Sequence, residues 1–77
     1  MAARRLKHGF GAVVRECRLE KALTQEQLAF DAALTRNFIS LIELGQRSPT
    51  LDTVEALAKA LDVSASTLIA RAERKPR

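Results

Sequence analysis

The chain has 77 residues, 47% of them hydrophobic and 29% charged, with a formal net charge of +4 and a pI near 10.0. A chain of this length forms one domain that buries only about 60% of its unfolded surface, so its core is modest and a second copy is expected to support it. No apolar run approaches the roughly 18 residues of a membrane span, and the start MAARRLKHGF lacks the apolar block of a signal peptide, so a cytoplasmic protein is expected.

Phe10, Val13, Val14 and Cys17 follow helical spacing and predict a first helix from about Lys7 to Lys21, ending near Ala22. Cys17 on that stripe reads as a small core hydrophobe rather than a reactive thiol, and alone it forms no intramolecular disulfide. Arg15 and Arg18 fall on a different stripe, and His8 carries no assigned role. Thr24, with Gln27 three residues on, is a capping-box signature that opens a second helix. Leu28, Ala29 and Ala32 lie one turn apart on it, and the small side chain of Ala29 lets the next helix approach closely. Leu34 then occupies a tight turn, Thr35 is an N-cap, and Ile39 and Ile42 form the apolar face of a third helix from about Arg36 to Leu44. Residues 25–44 therefore have the helix-turn-helix pattern, two short helices crossing at a tight turn.

Gly45 is placed to stop the third helix in a left-handed conformation, and Pro49 stiffens the loop that follows. Thr50 caps a fourth helix in which Leu51, Val54, Leu57, Ala58 and Leu61 recur as an apolar face, with Asp52 suiting the dipole of its first turn. Ser64 caps a short fifth helix carrying Leu68 and Ile69, and RAERKPR reads as a polar tail. The expected fold is all-α, five helices in a folded core of about residues 7–70 with a basic tail at each end. Arg4, Arg5 and Lys7 give residues 1–8 a charge of +3, and Arg71, Arg74, Lys75 and Arg77 against Glu73 give the other end +3. Residues 9–70 therefore carry −2, and bulk charge alone does not establish nucleic-acid binding. One His, one Cys, no glycine-rich phosphate loop and scattered carboxylates leave no basis for an enzyme, a metal site or a cofactor. RNA binding lacks an aromatic platform on a sheet.

VRECR, LTQEQLA and LTRNFISLIELGQRSPTLDTVEALAKALDVS, in that order and spacing over about Gly9 to Leu68, resemble the Cro and lambda-repressor type of helix-turn-helix domain, the XRE family. Within that family, single-domain chains of this size resemble restriction-modification controller proteins, while antitoxins and phage Cro-like repressors share the scaffold. The resemblance implies a compact lambda-repressor-like domain that regulates transcription as a homodimer on a pseudo-palindromic operator. An antitoxin whose main task is to neutralise a protein partner is the alternative, and a neighbouring toxin gene would distinguish it. Two positions depart from the pattern, because the family commonly has glycine where this chain has Ala22 and Ala33. A positive φ at such an alanine costs on the order of 1 kcal/mol.

In that setting the third helix enters the major groove with its N-terminal residues facing base edges. Ile39 and Ile42 face inward, leaving Thr35, Arg36, Asn37, Ser40, Leu41 and Leu44 outward. Arg36 is the leading candidate for reading sequence, because a guanidinium donates two hydrogen bonds to guanine O6 and N7. Asn37, Ser40 and Thr35 are further base-reading candidates, and Leu41 or Phe38 would meet a thymine methyl group. Gln25, at the amino end of the second helix, is expected to bind a phosphate, with Arg47, Asn37 and Phe38 as further backbone contacts. Resemblance also pairs Arg18 with Glu43 in a partly buried ion pair, and the dimer surface is expected to involve Leu68, Ile69 and the end of the fourth helix. The expected partners are double-stranded DNA, a second copy of the chain and RNA polymerase, with no membrane and no small-molecule ligand.

Overall fold

Every helix after the first begins where a hydroxyl side chain can take up its free N–H groups. In the computed structural model, which describes residues 2–76 and the side chains of residues 6–76, α1 spans Ala2–Glu20, α2 Gln25–Ala32, α3 Arg36–Glu43, α4 Leu51–Leu61 and α5 Ala65–Arg74. The described residues contain these five helices and no strand. Thr24 accepts the Gln27 N–H at 3.0 Å while the Gln27 side-chain oxygen accepts the Thr24 N–H at 2.8 Å, which closes the capping box of α2. Thr35, Thr50 and Ser64 cap α3, α4 and α5 by accepting from Phe38, Thr53 and Thr67 at 3.1, 3.1 and 3.0 Å.

The helix ends use left-handed residues. Ala33 (φ 58°) stops α2 and Asp62 (φ 60°) stops α4, while Ala22 (φ 57°) turns the chain after α1. Beyond Ala33 the Leu34 N–H returns to the Ala29 carbonyl at 2.8 Å, the wrapped bond that satisfies an orphan carbonyl of the helix end. Both alanines that replace the family's usual glycine thus take positive φ, at about 1 kcal/mol each.

The apolar stripes of all five helices meet in one core built on Leu28, Ile39, Ile42, Leu57, Leu61, Leu68, Val13 and Val14, all fully buried. Phe10 and Cys17 extend it along α1, and Ala72 closes it under α5. A Cβ at Gly11 would run into the carbonyls of Ile42 and Glu43, so the missing side chain lets α1 cross directly over the end of α3. On another face of α1, Gly9 lies against the Ala72 carbonyl of α5.

Three expectations are corrected here. The basic amino end is not a tail, because α1 starts at Ala2 and AARRLK is a run of good helix formers. The side chains of Arg4 and Arg5, and Arg77, lie outside the described residues. Residues 71–74 of RAERKPR are not a tail either, since α5 continues to Arg74 and lies along α1, where Arg71 and Lys75 both reach the Glu16 carboxylate. Leu51 does not join the core; as the first residue of α4 it is 87% exposed, and the buried stripe begins at Val54. Among the described residues no helix is long and apolar enough to cross a membrane.

Candidate nucleic-acid interface

α3 turns one face into the core and the other outward. Ile39 and Ile42 are buried, whereas Thr35, Arg36 and Asn37 are exposed together at its amino end, and Ser40 and Leu41 are half-buried one turn further on. Leu44, at the far end of the same face, is 60% exposed. The polar side chains sit on the first turn, where the cap at Thr35 starts the helix, so a groove approached end-on would meet them first.

The one acid of α3 does not face outward. Arg18 grips Glu43 through two hydrogen bonds, Nε to Oε2 at 2.7 Å and Nη2 to Oε1 at 3.0 Å, and its Nη1 donates to the Leu23 carbonyl at 2.9 Å. Only 10% of the Arg18 side chain and 3% of the Glu43 side chain remain exposed. The hydrogen bonds to Glu43 raise the Arg18 pKa, outweighing the opposing effect of burial. The pair therefore ties α1, the loop before α2 and α3 into one unit and cancels the charge of the one acid on α3.

Gln25 also joins this network. Its Nε2 donates to Glu43 Oε1 at 3.1 Å, a contact the sequence does not signal because the two residues are 18 apart. Half-buried at the amino end of α2, Gln25 keeps its amide oxygen and second N–H for another partner, and Glu43 sets the direction in which that amide points. Arg47 lies in the loop after α3 with its guanidinium 5.5 Å from the centre of the Phe38 ring. Phe38 is half-buried under it, so the stack holds the cation beside the outward face. This contact also has no local sequence signature. Among the described residues neither Arg36 nor Arg47 is paired with a carboxylate, which leaves two cations available to phosphates or base edges.

Leu68 lies away from this face and is fully buried inside the protomer, because α5 packs against α1. It has no surface to offer a second copy. Ile69 is half-buried and lines a hollow of about 250 Å³ with Leu6, Phe10, Pro49, Leu51 and Val54. No group of three or more His, Cys, Asp or Glu among the described residues could hold a metal ion.

Comparison with known proteins agrees with this geometry. The Helix-turn-helix family model matches residues 14–68. The chain is 46% identical over 61 residues to the control protein C.BamHI of Bacillus amyloliquefaciens, covering 78% of this chain and 75% of that one. It is 43% identical over 58 residues to the control protein C.SmaI of Serratia marcescens, covering 75% and 69%. Among solved structures, the restriction-modification controller protein C.AhdI from Aeromonas hydrophila superposes with a TM-score of 0.78 at 41% identity, covering 79% of this chain and 92% of that one. The family-model match spans α2, α3 and α4, and so includes the outward face of α3. The chain belongs to the XRE-type helix-turn-helix family of transcription regulators.

Proposed function

We propose that the protein binds a pseudo-palindromic operator as a cytoplasmic homodimer and regulates its own operon, one that encodes a restriction-modification system. The observation that carries this reading is the outward face of α3, where Thr35, Arg36 and Asn37 stand exposed at the amino end while Glu43, at the other end of the helix, is buried and neutralised by Arg18. Arg36 reads a guanine, Asn37 and Ser40 read or brace neighbouring positions, and Thr35 bonds whichever base edge or phosphate lies at the helix start. Gln25 and Arg47 take phosphates on either side of the groove and set the register of α3. Likeness to control proteins favours this reading over the antitoxin one.

Two such protomers place their α3 helices about 34 Å apart, matching half-sites about 10 base pairs apart. The hollow lined by Ile69, Leu51, Pro49 and Leu6 is the surface we assign to the dimer contact, since it is apolar and its rim residue Leu51 is uncovered in the protomer. A contact with RNA polymerase bound alongside is part of this proposal.

The test is fluorescence anisotropy with the DNA upstream of the gene and with scrambled DNA, across a salt series, for the wild type and Arg36→Ala. Wild type prefers the upstream DNA, and the mutant loses about 1–3 kcal/mol of that preference while keeping its salt slope. Equal binding to both DNAs, vanishing with salt, would reduce the interaction to nonspecific phosphate contact and overturn the proposal.

A further inference from the structure

The outward face of α3 changes character along its length. Its first turn is polar, with Thr35, Arg36 and Asn37, but its second turn presents Leu41, half-buried, and its C-cap is Leu44, 60% exposed. Residues three apart lie on the same side of a helix, with Cβ atoms about 5–6 Å apart, so Leu41 and Leu44 form one apolar strip continuous with the polar reading residues. Phe38, the other apolar residue of that helix with surface, already lies under the Arg47 guanidinium. The two leucines are thus the apolar groups left to meet whatever the face covers.

We infer that Leu41 and Leu44 select thymine, by packing on the C5-methyl groups of A·T pairs beneath the second turn and the C-cap of α3. The inference rests on the operator-binding reading and deepens it. In the major groove guanine offers two acceptors, cytosine and adenine offer an amino donor, and thymine alone presents a methyl group. A leucine pressed on a polar base edge strips water from donors and acceptors and returns no hydrogen bond. Over a thymine methyl, the same leucine buries apolar surface on both sides. Selection therefore comes from attraction to the methyl and from the desolvation of every other base edge. The spacing of the strip against a rise of about 3.4 Å per base pair limits the selected thymines to positions no more than two steps apart in each half-site.

Replacing thymine by deoxyuridine tests this directly, since it removes the methyl and leaves base pairing intact. Each thymine in the segment of upstream DNA that the wild type protects would be replaced singly, and affinity compared for the wild type, Leu44→Ala and Leu41→Ala, with circular dichroism confirming the fold. At one or two positions per half-site the wild type loses about fourfold in affinity, the value of one buried methyl. Leu44→Ala or Leu41→Ala loses a similar factor on the thymine DNA and no longer distinguishes the uracil version. Should Leu41→Ala misfold, Leu44→Ala, whose side chain is outside the core, carries the test. The inference is overturned if the wild type binds every uracil-substituted DNA as tightly as the parent, or if both variants keep the full uracil penalty. Wild type that shows no specific binding to the thymine-containing parent overturns the operator reading itself, and this inference with it.

Discussion

Helix α1 meets α3 and α5 with the same materials, a glycine and an ion pair, yet the two contacts differ in what they contribute. Toward α3, Gly11 lets the backbones touch and Arg18 binds Glu43 with both groups almost wholly out of water. Toward α5, Gly9 allows a similar approach, but Glu16 sits 40% exposed between Arg71 and Lys75, whose side chains are about one-third exposed at 32% and 29%. Water screens the second cluster and not the first. Geometry differs as well, because Arg18 engages both carboxylate oxygens and a loop carbonyl, whereas the Arg71 to Glu16 distance is 3.5 Å. The first contact holds the candidate DNA-reading elements in place; the second fastens a terminal helix.

Removing one partner from each site should separate them. Arg18→Ala is expected to destabilise the fold by about 3–5 kcal/mol, since Glu43 would stay buried with only Gln25 to bond it. Thermal or urea unfolding of the variant reads this directly, and an unchanged midpoint would show that the pair is not a structural tie. Glu16→Ala should cost about 0–1 kcal/mol by the same measurement, because its partners return to water. A loss as large as that of Arg18→Ala would erase the distinction between the two faces.

The smallest effect concerns Cys17, which lies at the α1–α5 contact with Arg71 Nη1 donating to its Sγ at 3.2 Å. Burial raises the thiol pKa, and the nearby Glu20 and Glu16 add to the rise, against the opposing charge and hydrogen bond of Arg71. A raised folded-state pKa means that the stability contributed by the neutral thiol is complete below the unfolded value near 9.0 and is lost as pH climbs from there toward the folded value. Unfolding midpoints of the wild type should therefore fall more steeply above that pH than those of Cys17→Ala. Parallel curves for the two proteins would remove Cys17 from the account. Alkylation of Cys17 in the folded protein should also be slow at neutral pH, because the thiol is both covered and protonated.

Helix starts, apolar stripes and the helix-turn-helix itself were legible in the sequence because each depends on residues within a turn or two of one another. Thr24 and Gln27, Thr35 and Phe38, Ser64 and Thr67 find each other three positions apart, and Ile39 and Ile42 share a face whatever lies beyond it. The Arg18–Glu43 pair was anticipated only through family resemblance, since no local rule joins residues 25 apart. What the tertiary structure alone decided follows from how α1 and α5 lie together. That packing carried α5 on to Arg74, drew Arg71 and Lys75 to Glu16, and buried Leu68, which the sequence suggests for the dimer surface. The same holds for the exposure of Leu51, the stack of Arg47 on Phe38 and the bond from Gln25 to Glu43. Periodicity and capping are short-range and repeat in the chain, so they can be read along it. Which face of one helix covers another, and which long side chain reaches across the gap, depends on the joint packing of several elements, and that is set only when the core closes.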